Sequence, residues 1–499
     1  MSLVAARAEM AATFLEAEAP VVRFDYSFLR RLFFGIGIVL LFIAPTAHDP
    51  LAFAAGAFVP WLMFSIVATP TMPAAICFFL LWQWLEVFAR VILTFVDGET
   101  LGGSLYGPTV ARAYWYMLAS LIVFSLAFRL TLGNLREPGA NFRRAHHRWR
   151  PQDLFICYLG GLVASVFYRY GSAILPSLDQ QFEAVGRLKI VGLFLLFTYV
   201  LSTGKGRKYL VIAVAFELVS GFGGLFSDFK SVFIILGMAA LAARIRWTGT
   251  LAVSAVALLS LGTGMALFWT AVKTDFRQFA TGSDESQYVK VGLADRYGYL
   301  GDKASSLDDI DWDMASRMLL NRIAYVDIFG SVIAVQENSN TAENYPRQWS
   351  DALGHIFKPR FLFPDKGQLS DTEVYARLAL GNVSEEMRAG TSISVGYMAE
   401  NFADFGFPGM LVGILGLGII LGAICRYFMM IPLPWYGREA VVMAFIYTCA
   451  TTGAEISLPK MLGAAVMFTI IYVVLARYFM GRVWNWLDDR AGFQEVPRS

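Results

Sequence analysis

The chain has 499 residues, of which 57% are hydrophobic, 15% aromatic and only 16% charged, with a mean hydropathy of +0.53. Soluble domains carry about 25% charged residues, and disordered chains are polar and poor in aromatics, so both classes are excluded. The formal charge of +2, from 41 Lys and Arg against 39 Asp and Glu, excludes nothing until it is resolved by position.

The apolar excess falls into runs near the roughly 20 residues that a membrane-crossing helix needs. In chain order, about 12 spans are expected, at roughly 29–45, 51–69, 72–95, 110–131, 153–175, 186–203, 209–226, 230–244, 250–271, 403–426, 439–455 and 461–479. The first and eighth are short. No cleavable signal precedes them: residues 1–28 contain Glu9, Glu16, Glu18 and Asp25, and the first apolar run starts after Arg30 and Arg31.

Orientation follows from Lys and Arg in the short loops. Loop 132–152 holds Arg136, Arg143, Arg144, Arg148 and Arg150. Lys205, Arg207 and Lys208 come next on the same side, then Arg244 and Arg246, then Arg426 and Arg438, then Arg477, Arg482 and Arg490. The intervening loops lack this excess, so both termini are expected in the cytoplasm, with an even number of spans. The expected fold is therefore an all-α, polytopic integral membrane protein. Its units are a cytoplasmic segment 1–28, spans one to nine within 29–271, an extracytoplasmic cap 272–402, spans ten to twelve within 403–479, and a cytoplasmic tail 480–499.

A hydrophilic connection as long as 272–402 is usually functional or disordered. Helical spacing of Met318, Leu319, Ile323, Ala324, Phe329 and Ile333 predicts an amphipathic helix over 315–336. Ser370, with Glu373 three residues on, forms a capping box that opens a helix over 372–380. The segment reads as a folded cap over the bundle. No internal repeat is evident, which weakens an inverted-repeat transporter reading.

Metal and redox chemistry find no support. Cys77, Cys157, Cys425 and Cys449 lie in or beside apolar runs without CxxC spacing, and read as small buried hydrophobes. The four histidines have no ligand spacing, and no nucleotide-binding or hydrolase motif stands in a credible context. No metal, cofactor or nucleic acid is expected.

The chemistry-bearing residues are cations set among aromatic and small residues. His355, Lys358, Pro359, Arg360, Pro364 and Lys366 form one stretch, with Arg377 and Arg388 beyond it. Arg317 and Arg322 lie in the amphipathic run, and Lys230 closes an outward turn at 227–230. Guanidinium groups bind phosphate oxygens through paired, charge-assisted hydrogen bonds and stabilise charge on a departing pyrophosphate. The bland alternative for each is snorkelling or surface ion pairing. Glu400, just before the tenth span, is a candidate general base for a sugar hydroxyl, with His355 as its competitor. Its bland role is a helix-end carboxylate satisfied by backbone or Arg. Trp312, Tyr325, Tyr345 and Trp349 either stack on sugar rings or pack the cap. Within the spans, Glu86 and Arg90 are spaced for an intrahelical ion pair, and Glu217 is expected to find Arg169 or Lys230.

With these residues in view, the chain resembles the Wzy-type polymerases of O-antigen, capsule and exopolysaccharide repeat units. The resemblance rests on about 12 spans, a large loop before the last three, the Pro359, Arg360, Pro364, Lys366 stretch, the Gly-rich run 390–409, and the turn 227–230. It implies a GT-C-like glycosyltransferase architecture in the bacterial inner membrane. It also implies a growing glycan on undecaprenyl pyrophosphate as donor and a lipid-linked repeat unit as acceptor, with stereochemical outcome open. Membrane lipids, and a chain-length regulator and flippase of the same export pathway, are the implied partners. The family's basic residues map onto Lys230, Arg360, Arg317, Arg322 and Arg388. O-antigen ligases share the architecture and use similar arginines with a loop histidine, which would be His355. A lipid-linked oligosaccharide transporter and a scaffold without chemistry remain the rival classes.

Overall fold

The computed structural model describes residues 22–103, 107–135, 145–222, 229–282, 289–338, 348–358, 363, 370–381, 393–450 and 452–492. The protein is an all-α, multi-pass membrane protein, as expected. Among the described residues, nine helices are long and apolar enough to cross a membrane, or ten if one bent pair counts as a single span. The first seven helices are α1 Tyr26–Ile43, α2 Pro50–Val67, α3 Ala74–Asp97, α4 Pro108–Leu132, α5 Pro151–Ile174, α6 Asp179–Gly186 and α7 Leu188–Thr203. Then come α8 Arg207–Phe222, α9 Lys230–Ala243 and the 33-residue α10 Gly249–Thr281. The expected spans at 209–226, 230–244 and 439–455 do form helices, but of 16, 14 and 16 residues, which is shorter than a full crossing.

The cap contains α11 Leu293–Ser305, α12 Trp312–Ile323, α13 Val326–Asn338, α14 Gln348–Ile356 and α15 Asp371–Ala379. The chain then forms α16 Tyr397–Met430, α17 Trp435–Ala450, α18 Leu458–Leu475 and α19 Gly481–Arg490. The expected single helix over 315–336 is instead two helices, α12 and α13, bent by 53° at Ala324–Tyr325. Helix α15 starts as its capping signal predicts, with Ser370 Oγ accepting from Glu373 N at 3.3 Å.

Helix α3 is the centre of the molecule. It is buried along most of its length and packs against α2, α4, α9, α12 and α17. Three chain reversals from the cap side descend onto it. The first is the α12–α13 elbow, where Tyr325 N donates to Glu86 O at 3.2 Å. The second is α16, which is not one straight rod. Gly406 (φ 61) and Phe407 (φ −101, ψ 134) break it, and 397–405 folds back alongside 408–430. A Cβ on Gly413 would strike Asn401 Oδ1, although 12 residues of straight helix would separate them by roughly 18 Å. The third is the turn Gly453–Glu455 between α17 and α18, where Ala454 N donates to Glu86 Oε2 at 2.5 Å.

Glu86 sits near the midpoint of α3, roughly 17 Å from either end at 1.5 Å per residue. Buried non-helical backbone is tolerated only where protein groups satisfy it. Here they do: Tyr397 N donates to Ile456 O at 2.8 Å, and Tyr397 OH donates to Gln83 Oε1. The fit is close enough that Cβ atoms are excluded. One on Gly396 (φ 82) would meet Ala454 O, and one on Gly453 (φ 67) would meet the Glu86 carboxylate.

The opposite end is tied by both chain ends. Phe24 N donates to Ile245 O at 2.9 Å and Trp247 N to Val22 O at 2.8 Å. Trp149 stacks on Trp484, and Arg490 reaches the fully buried Asp153 at 2.9 Å.

The α16 fold-back generates a test. Gly413→Leu forces Asn401 and Phe405 away from 408–430 and is expected to cost roughly 1–3 kcal/mol by overpacking, read as a lower melting temperature in detergent. Gly416→Leu, where a Cβ meets nothing within 4 Å, is expected to leave the melt within error.

Candidate functional site

The point where the three reversals meet α3 is also where charge gathers. Lys230 opens α9, with Nζ 5.5 Å from the Trp82 ring of α3. Arg322 ends α12 and lies exposed. Helix α10 spans about 50 Å at 1.5 Å per residue, so it exceeds a hydrocarbon core of about 30 Å and carries Lys273 and Arg277 past it. There it packs on α12, and both cations experience repulsion from Arg322.

Glu455 faces this group from the turn between α17 and α18. Burial raises its carboxyl pKa above the ordinary range, and the positive charges of Arg322 and Lys230 act against that rise. Neither Glu455, Arg322 nor Lys273 makes a hydrogen bond or contact ion pair with the described residues. Arg322 and Lys230 therefore act on one half-buried carboxylate, and Lys273 and Arg277 lie near enough to Arg322 to be repelled by it. An anion placed among such like charges relieves their repulsion. The arrangement suits a multiply charged anion, such as a diphosphate, which guanidinium and ammonium groups bind through charge-assisted hydrogen bonds.

Of the residues singled out from sequence, the structure brings Lys230 and Arg322 together around Glu455. Arg317 is neutralised elsewhere: it contacts Asp97 and lies 3.0 Å from Asp313. Arg377 closes α15, and its buried Nε has no hydrogen-bond partner among the described residues. His355 ends α14, the helix that packs on α18 and on α16, and Lys358 follows it in an exposed position. Arg360, Arg388, Tyr345, Pro359, Pro364 and Lys366 lie outside the described residues, as do 227–228.

Glu400 has a different setting from the one expected of a general base. It is 1% exposed, and its Oε2 accepts from Leu458 N at 2.5 Å, so it caps the first turn of α18. The expected Glu86–Arg90 ion pair is absent. Arg90 Nε instead lies 3.1 Å from Asp327 on α13, because Glu86 is turned to the Ala454 amide. Glu217 finds neither Arg169 nor Lys230. Lys189 Nζ at 2.9 Å and Tyr158 OH at 2.8 Å satisfy it from α7 and α5. Tyr325 donates to Ser394 O, and Trp349 Nε1 donates to Asn401 Oδ1 at 2.8 Å, so both take part in the packing of the cap.

Lys273, Arg277 and Glu455 were not singled out by sequence reasoning. A signal existed for the first two. They stand four residues apart just past a span, on the side where topology requires no cations.

Glu86→Ala tests the anchor of the turn. It leaves the Ala454 amide unpaired beside a new cavity, for an expected loss of roughly 2–4 kcal/mol. Thermal unfolding in detergent checks this, with a wild-type melting temperature as the contrary outcome.

Compared with family models, curated proteins and solved structures, the chain matches none.

Proposed function

We propose that the protein is a polysaccharide polymerase of the bacterial inner membrane. It would transfer a growing glycan from undecaprenyl pyrophosphate onto a lipid-linked oligosaccharide repeat unit. The observation that carries this reading is the grouping of Arg322 with Lys273 and Arg277 on one side and with Lys230 and the half-buried Glu455 on the other, at the cap end of the bundle. A diphosphate joined to a lipid places its charge at this level while its tail stays in the hydrocarbon. The Lys and Arg loops at the opposite end assign that end to the cytoplasm and the cap to the periplasm. A polymerase of this kind needs no nucleotide sugar, because the donor is already activated by its pyrophosphate.

In this reading Arg322 and Lys273 take the pyrophosphate oxygens, with Lys230 and Arg277 beside them. Their charge is worth most when the anomeric carbon–oxygen bond breaks and negative charge accumulates on the departing pyrophosphate. Arg360 and Arg388 keep the donor-binding role that the resemblance implies. Neutralised by two carboxylates, Arg317 is assigned to holding α12 against the end of α3. The satisfied Glu217 no longer argues for a transport path through the bundle.

Purified protein and an undecaprenyl-pyrophosphate-linked repeat unit provide the test. Arg322→Ala and Lys273→Ala are each expected to lower kcat/KM about ten- to a hundredfold, the value of one charge-assisted hydrogen bond, and to shorten the glycan displayed on cells. Long-chain polymer of unchanged length, at normal protein level in both variants, would remove the diphosphate assignment. The same outcome for Arg360→Ala would remove that residue's role.

A further inference from the structure

We infer that Glu455 is the proton acceptor of the transfer step, carried on a turn that buried carboxylates hold in place on either side. This rests on the glycosyl-transfer reading above and specifies the base that it requires.

The other carboxylates around the convergence point are committed. Glu86 accepts from Ala454 N, and Glu400 accepts from Leu458 N. Asp371 holds Lys460 at 2.6 Å and accepts from Ser457 Oγ at 3.0 Å. Asp327 faces Arg90, and Asp404 accepts from the amides of Gln348 and Trp349 at 2.7 and 2.9 Å. Each of these groups fixes backbone or neutralises a cation. Glu455 does neither at contact distance among the described residues, and it is only partly buried.

Its backbone, by contrast, is held closely. Ala454 N is bonded to Glu86, Ile456 O to Tyr397 N, and Leu458 N to Glu400. Gly453 and Gly396 allow these contacts because neither carries a Cβ. Two carboxylates from separate helices are thus used to position a third. That is the expected construction of a preorganised site, in which surrounding residues fix the reacting group.

The step balances with the groups present. The acceptor hydroxyl oxygen bonds to the anomeric carbon of the donor. The bond from that carbon to the pyrophosphate oxygen breaks, and its electron pair leaves on the pyrophosphate facing Arg322 and Lys230. The hydroxyl proton passes to the Glu455 carboxylate. Glu86 from α3, Lys230 from α9, Arg322 from α12 and Tyr325 from the elbow act electrostatically on Glu455 or feel its charge. Burial moves its titration upward, toward the range where a carboxylate is an effective base.

The experiment uses full-length purified protein and the undecaprenyl-pyrophosphate-linked repeat unit, with rates measured from pH 5 to pH 9. Activity requires ionised Glu455, so the wild-type rate is expected to fall on the acid side, at a pH above the ordinary carboxylate range. Glu455→Gln is expected to lower kcat about a hundredfold or more, leave KM within about threefold, and abolish that acid limb, with an unchanged melting temperature. Should Glu455→Gln fail to fold, Glu455→Asp keeps the charge, and a fall in kcat at constant KM gives the same result. Wild-type kcat in the folded variant, or a loss confined to KM, would show Glu455 to be only a counter-charge and overturn the inference. A wild-type protein that elongates no oligosaccharide would overturn the polymerase reading itself and Glu455's role with it, so the two failures are distinct.

Discussion

A single carboxylate in the middle of a largely buried helix organises the cap end of this protein. Glu86 accepts the Ala454 amide through Oε2, while its own backbone carbonyl accepts the Tyr325 amide. A packed interior offers no water to satisfy bent backbone, so each buried reversal must bring or find a partner. Glu86 is such a partner for two of the three reversals. The remaining one, α16, enters at Gly396 between the other two and is bonded to Gln83 one turn away through Tyr397.

From that constraint follows the position of the charged residues. The elbow carries Arg322 down to the turn, and the turn presents Glu455 upward toward Arg322 and Lys230. Helix α10 runs past the bundle and adds Lys273 and Arg277. The acids closest to the centre, Glu86 and Glu400, act on backbone amides rather than on these cations.

The division of labour among the acids also separates stability from chemistry. The sequence left Glu400 two roles, a general base or a helix-end carboxylate satisfied by backbone. Its burial and its bond to Leu458 N make it a helix cap. Glu86 looked like one half of a local ion pair, and the structure gives Arg90 to Asp327 on a different element. In both cases the partner is remote in the chain, and nothing in local spacing points to it.

Composition and periodicity were sufficient for the all-α membrane class, because burying apolar surface in lipid demands long apolar helices whatever their neighbours. They were sufficient too for the Ser370 cap of α15, since capping acts within one turn of chain. The cations Lys230 and Arg322 were also legible, because cations outside the topogenic loops stand out in the sequence. Their assembly with Lys273, Arg277 and Glu455 was not. It depends on three reversals folding back onto α3, and the interactions that set those reversals join residues hundreds of positions apart, as Glu86 and Ala454 are. Local sequence determines which segments form helices. Only the packed bundle decides which carboxylate is consumed by the backbone and which is left facing the cations.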